Sequence, residues 1–294
     1  ALRKTGDWAR RAPLLPALVF TIVMTQVPFV ATLVISFMNW NAYYPDERGF
    51  TGFDNYVRVF TDTNARSAVI VTIVLTVSVV AVSLLLGLGI ALLLDRKFRG
   101  RAAVRTLMVL PFLIVPVAAA LLWKHALYNP EYGLFNGMLK LVFGDDAPQP
   151  DWITNNPLIA IIAALVWQWT PFMMLILLAG LQSRPLDVIE AARIDGASSW
   201  QIFTQMTLPH LRQYIELSAL LGAIYVVQNF DAVFTITSGG LGTANLPYYI
   251  YQTFYTAQDY GRASAAGVMV VIATIIIATA ALRTVFTLFK EEGR

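Results

Sequence analysis

The chain has 294 residues, 57% hydrophobic and 13% charged, with a formal charge of +3 and a mean hydropathy of +0.62. Soluble domains carry about 25% charged residues, so this composition points to a membrane protein. Cysteine is absent and histidine is confined to His125 and His210, which excludes disulfides, thiol chemistry and a thiolate or His-rich metal site; the basic pI of about 9.1 reflects loop charge rather than nucleic-acid binding.

A helical span takes roughly 20 apolar residues. Residues 1–12 are polar, with Arg3, Lys4, Arg10 and Arg11 against Asp7. The first span is expected over 13–38, too long an apolar run for a signal peptide. Trp40, Tyr43 and Tyr44 follow, ring types that settle at membrane interfaces. In the polar loop 41–65, Thr51-Gly52-Phe53-Asp54-Asn55-Tyr56 reads as a turn into a short surface helix. The second span is expected over 66–94, with Gly87 and Gly89 suited to close helix packing. A basic loop carries Arg96, Lys97, Arg99, Arg101 and Arg105. The third span is expected over 106–123, kinked at Pro111 and Pro116, since each proline removes a backbone donor. A polar loop fills 124–156.

The fourth span is expected over 157–181 and contains Trp167-Gln168-Trp169-Thr170-Pro171. A charged stretch occupies 182–213. The fifth span is expected over 214–236, followed by Thr237-Ser238-Gly239-Gly240 and a Tyr-rich loop to 261. The sixth is expected over 262–289, with a tail at 290–294. The fold class is therefore all-α membrane protein with six spans over 13–289. Most of the 21 Lys and Arg fall in the N-terminal segment, the loop after span 2, the charged stretch and the C-terminal end. By the positive-inside rule both termini and the charged stretch are cytoplasmic.

Within that stretch Pro185 suits a helix start. Leu186, Ile189 and Ala192 or Arg193 share one face at helical spacing. Gly196 ends the helix in the left-handed conformation. Ser198 or Ser199 caps a second helix presenting Trp200, Phe203 and Met206 or Thr207, which Pro209 closes. Spacing alone leaves two readings open, an amphipathic loop lying on the membrane or a docking element whose small residues let a partner come close.

The pattern Glu190-Ala191-Ala192, Asp195-Gly196-Ala197, Phe203 and Leu208-Pro209 resembles the cytoplasmic signature of binding-protein-dependent ABC importer permeases. Asn39-Trp40, Phe53-Asp54-Asn55-Tyr56, Ala179-Gly180-Leu181-Gln182 and Thr237-Ser238-Gly239-Gly240 are similar to the carbohydrate branch of that family. The look is nearest to the maltose-type first permease and, within that group, to sorbitol and mannitol permeases. Two features depart from the pattern: the additional N-terminal spans and external domain of the maltose permease have no counterpart, and Gln213 stands where many relatives have proline.

The resemblance implies a coupling segment over 184–210 that docks on an ATP-hydrolysing subunit through the helix carrying Glu190, Ala191, Ala192, Asp195 and Gly196. It implies a bacterial inner-membrane complex of two permease subunits, two ATP-binding subunits and an extracytoplasmic binding protein facing Gly239 and Gly240. It implies no cofactor in this chain, ATP and Mg being bound by the partner subunits, and no enzymatic activity of its own. The substrate implied is a sugar or polyol. Aligned on Pro171 and the Thr237-Ser238-Gly239-Gly240 turn, the family's sugar positions fall at Gln168, Trp169, Phe172, Val226 and Asn229. From the residues themselves, Tyr225, Gln228 and Asn229 are polar groups within a span and therefore site candidates. The alternative is an ion-coupled secondary transporter, which would need buried mid-span carboxylates; only Asp231 approaches that.

Overall fold

The structure is a computed structural model and describes residues 12–291. Of the terminal segments expected from sequence, 1–11 and 292–294 lie outside the described residues. The described residues divide into two compact units, 12–65 with 250–273, and 66–249 with 274–291.

The first unit begins with α1, Leu15–Ser36, an apolar helix of which only Ser36 is buried. Its hydroxyls are self-satisfied: Thr21, Thr25 and Thr32 donate to Ala17 O, Thr21 O and Pro28 O one turn back. This is how a threonine is accommodated where no water is present. A minimal hairpin follows, β1 (Met38–Asn39) antiparallel to β2 (Gly49–Phe50). The turn at Gly52, with φ +60°, leads into α2, Asp54–Thr61, as its sequence suggests. Asn55 turns inward and its Nδ2 donates to Ser36 O at 3.0 Å and Met38 O at 2.8 Å. The end of α1 is thereby fastened to α2. Gly261 lies so close to Met38 O that a Cβ would stand 2.2 Å from it. Arg262 pairs with Asp62, and Arg48 lies 3.7 Å over the Trp40 ring, a cation–π contact.

The second unit is the helical bundle. Its elements are α3 (Thr63–Asp95, which starts in the first unit), α4 (Arg101–Leu113), α5 (Pro116–Leu121), α6 (Leu134–Phe143), α7 (Trp152–Asn155), α8 (Pro157–Gln182), α9 (Leu186–Ile194), α10 (Ser199–Ile202), α11 (Leu208–Val227) and α12 (Asp231–Thr237). Two further helices are shared between the units, α13 (Leu246–Tyr251), which ends in the first, and α14 (Tyr260–Glu291), which belongs to the first as far as Ala273. Three π-helical turns, Leu122–Leu127, Phe203–Thr207 and Gln252–Thr256, follow α5, α10 and α13.

The central element is α8, packed by α11 on one side and α4 on another. Ala91, Leu94, Met174, Leu177, Leu178, Leu181 and Leu211 form a buried cluster there. Close approach depends on glycine. A Cβ on Gly87 would meet Met174 N at 2.9 Å, and one on Gly180 would meet the Tyr214 ring at 2.6 Å. Gly89, the other candidate for close packing, faces open space.

Among the described residues, α1, α3 and α8 are each long and apolar enough to cross a membrane, and two bent pairs would add two more spans. These pairs correct the expected third and fifth spans. The third is a corner of 96° between α4 and the Pro116–Leu127 segment. Pro111 sits inside α4 without ending it, whereas Val115, placed before Pro116, is extended with ψ 133°. A residue before proline is driven out of the helical region, and that breaks the helix. The helix over the expected fifth span begins earlier than expected, Leu208 continuing the helical run from Ser199, and it breaks after Val227, with 50° to α12.

Candidate functional site

Both breaks expose backbone carbonyls, and a buried amide meets each. At the first, Gln168 of α8 donates from Nε2 to Ile114 O at 3.3 Å. At the second, Asn245 donates from Nδ2 to Asn229 O at 2.5 Å. Asn245 is 1% exposed. An unmet carbonyl in an apolar medium costs several kcal/mol, so each amide makes its break tolerable. Lys124 serves α12 similarly, its Nζ donating to Thr235 O at 2.7 Å.

Next to these breaks four aromatic rings gather. Trp169 and Phe172 come from α8, Tyr225 from α11 and Phe112 from the last turn of α4. Trp169 and Tyr225 are stacked with centroids 5.3 Å apart, and Phe112 stacks on Phe172 at 5.4 Å. Edge contacts close the group, Phe112 to Trp169 at 5.7 Å and Trp169 to Phe172 at 5.8 Å. Tyr225 is 55% exposed, so the group has an open side. Trp167 points elsewhere, with its ring 5.8 Å from Trp123.

Two polar atoms here are buried without a partner, the Trp169 indole Nε1 and the Asn229 side-chain Oδ1. One donates and the other accepts. Native proteins seldom leave such atoms unpaired, and each invites a ligand hydroxyl or water. Gln228 is exposed and Val226 is buried. Of the candidates named from sequence, Trp169, Phe172 and Tyr225 are brought together. Asn229 stands at the neighbouring break, Gln168 is engaged as a brace, and Val226 forms wall rather than surface. Phe112 was missed by sequence reasoning. Its one signal was its position between Pro111 and the break.

The first helix of the charged stretch and its glycine end fold as the spacing suggests, but the second helix does not close at Pro209: it runs on through the π turn Phe203–Thr207 into α11, whose first turn holds Pro209 and needs no N–H there. Gly196, at φ +88°, ends α9; its N–H bonds Arg193 O, and that of Ala197 bonds Ala192 O. Ser198 caps α10 in a reciprocal pair, with Gln201 N–H donating to Ser198 Oγ at 3.3 Å and Ser198 N–H to Gln201 Oε1 at 2.8 Å. Such a capping box satisfies two orphan donors. Ile189 is buried, while Leu186, Val188, Ile194 and Trp200 are exposed. Glu190, Ala191, Asp195 and Gly196 are exposed and Ala192 is half-buried. Among the described residues neither acid is held in an ion pair. Elsewhere, Gly239 lies under the Tyr248 ring, where a Cβ would come within 2.0 Å, and Gly240 is exposed.

Residues 83–289 match the family described as binding-protein-dependent transport system inner membrane component. A probable ABC transporter permease protein, y4oQ of Sinorhizobium fredii, is 35% identical over 267 residues, covering 90% of this chain and 85% of the relative. The trehalose/maltose transport system permease protein MalF of Thermococcus litoralis is 33% identical over 259 residues, covering 87% and 86%. Among solved structures, a chain of a bacterial ABC transporter involved in import of the acidic polysaccharide alginate superposes with a TM-score of 0.82 at 23% identity, covering 96% of both chains. This last likeness concerns the fold.

Proposed function

The chain belongs to the family of binding-protein-dependent transport system inner membrane components, and on that premise we propose that it is one of two permease subunits of an ATP-driven importer for a sugar or sugar alcohol. In this reading it crosses the membrane six times, through α1, α3, the α4–α5 corner, α8, the α11–α12 bend and α14, with both termini cytoplasmic. The stretch 184–210 is the coupling segment. Its exposed Leu186, Ile194 and Trp200, with the unpaired acids Glu190 and Asp195, are offered to an ATP-binding subunit. Two such subunits bind ATP and Mg; this chain performs no catalysis. An external binding protein delivers substrate at the Gly239-Gly240 turn.

The observation that carries the substrate class is the aromatic group with its unpaired donor and acceptor. Ring faces take the C–H surfaces of a polyhydroxylated ligand, and Trp169 Nε1 and Asn229 Oδ1, buried and unpartnered here, would meet its hydroxyls once the group opens. Phe112, Trp169, Phe172 and Tyr225 would form the wall, Asn229 and Gln228 the polar edge, and Gln168 and Val226 would hold it from behind. MalF of Thermococcus litoralis is named for trehalose and maltose, which supports a carbohydrate here. Transport follows by alternating access, each of ATP, binding protein and substrate favouring one of two states. The ion-coupled alternative draws no support from the family. The test is uptake by the complete complex in vesicles across a panel of sugars and polyols, with ATP supplied. Uptake by this chain without any ATP-binding subunit would overturn the proposal.

A further inference from the structure

The second unit carries a groove of about 520 Å³ on its flank, between α3, α4 and α8. Val82, Leu86 and Ile90 line it from α3, Met108 and Pro111 from α4, and Ala163 from α8. Its only hydroxyl belongs to Thr170, which already donates to Val166 O at 2.6 Å. Beyond it the lining offers one polar group, the Trp167 indole N–H, too little for the many hydroxyls of a sugar. An occupant must be apolar along its length. The α3 wall recurs every four residues and runs about 12 Å at 1.5 Å per residue, close to the roughly 15 Å depth of one hydrocarbon leaflet.

At one end of this wall lies a block of positive charge. Arg96, Lys97, Arg99, Arg101 and Arg105 follow one another without an acid among them. The nearest acid in sequence, Asp95, is held by Arg184 at 2.5 Å. Among the described residues none of these five cations has an ion pair. Arg101, Arg105 and Met108 are spaced four and three apart on α4, so the two arginines continue the Met108 edge of the groove toward the basic loop. Arginine pairs phosphate through two parallel N–H bonds, and basic clusters between spans at the cytoplasmic face attract anionic headgroups.

We infer that the groove is a binding site for an anionic phospholipid, with one acyl chain between α3, α4 and α8 and the phosphate held by Arg101 and Arg105. The inference rests on the permease reading above, which places the basic loop at headgroup level. The groove supplies apolar length and the loop supplies unspent charge; an acyl chain ending in an anionic phosphate is the chemistry that answers both.

The test uses the complete complex extracted in detergent, with retained phospholipid measured by mass spectrometry. The wild type should hold anionic phospholipid above its share of the parent membrane. Arg101→Ala with Arg105→Ala should reduce that excess, by about fivefold per arginine, and Ala163→Trp should displace the chain from the groove. After delipidation, phosphatidylglycerol vesicles should restore the thermal stability of the wild type and phosphatidylcholine vesicles should not. Equal lipid retention in wild type and variants would overturn the site. So would efficient cross-linking from Met108→Cys, the single cysteine in this chain, to the partner permease, because protein would then fill the groove. ATP-driven uptake by the wild-type complex reports the permease assignment separately, so the two failures are distinguishable.

Discussion

Arg184 and Asp95, 89 residues apart, are joined side chain to side chain at 2.5 Å. The same guanidinium donates from Nε to Leu181 O at 2.8 Å and from Nη1 to Thr207 Oγ1 at 2.9 Å. One side chain therefore gathers the ends of α3 and α8 and the turn that follows α10. The pair is mostly buried, with side chains 14% and 27% exposed. Arg184→Ala should cost ~1–3 kcal/mol, between the values of exposed and fully buried pairs. Asp95→Ala should cost somewhat less. The measurement is thermal unfolding of the purified complex for both single variants and the double. A double variant equal to the sum of the singles would show that the two residues act independently.

Two glycines that look alike in sequence should respond differently. At Gly87 the first obstacle to a Cβ is the Met174 backbone nitrogen at 2.9 Å; at Gly222 it is the Met173 terminal methyl at 2.0 Å. Backbone cannot step aside, whereas a thioether end can re-pack. Gly87→Ala should destabilise by ~1–3 kcal/mol through overpacking, and Gly222→Ala by ~1 kcal/mol or less, partly offset by better helix propensity. Unfolding temperatures in the reverse order would contradict the packing described.

In the aromatic group, Trp169→Ala and Tyr225→Ala should each lower substrate uptake about tenfold, the equivalent of ~1.4 kcal/mol, while the complex still assembles. Trp169→Phe keeps a ring face and loses the indole donor, so it should fall between wild type and the alanine variant. Uptake unchanged in all three would remove this group from the pathway.

Asp151 caps α7. Its Oδ2 accepts from the Thr154 hydroxyl at 2.6 Å, and its Oδ1 accepts from the Thr154 and Ile153 N–H groups at 3.0 and 3.1 Å. The Thr154 hydroxyl first, and then its backbone N–H, hold the carboxyl below the ordinary carboxylate range. A lowered folded value means that the cap contributes fully above the unfolded pKa of ~3.9 and is lost as pH falls through the folded one. Protection of the Ile153 and Thr154 amides against hydrogen exchange should therefore be level from neutral pH down to ~4 and fall below it. Asp151→Asn should abolish that dependence, and Asp151→Ala should cost ~1 kcal/mol of local stability.

What was legible in the sequence was local. Gly196, the Ser198 cap and the short helix α9 follow from neighbours in the chain, because capping is settled within four residues; Pro209 misled, since a proline that looks like a stop also fits the first turn of the next helix. The apolar runs announced a membrane protein for the same reason. The corner at Ile114 was not readable as a corner. Pro116 supplies the break, but Gln168, 54 residues away, makes it affordable. Phe112 was hidden because an apolar residue in an apolar span carries no mark of the direction it faces. Gly87 and Gly89 were equivalent on paper; only the approach of α8 separates them. Asn245 lay in a polar loop and gave no sign that it serves a broken helix.

The wide turn Phe203–Thr207 has a mechanical consequence. A π turn holds one residue more than an α turn needs. That surplus can be handed along a helix, each transfer advancing the segment by about 1.5 Å and turning it by about 100°. Placed between α10 and α11, it sets the register of one against the other: taking out the surplus residue would turn every side chain of α11 by about 100° relative to Trp200.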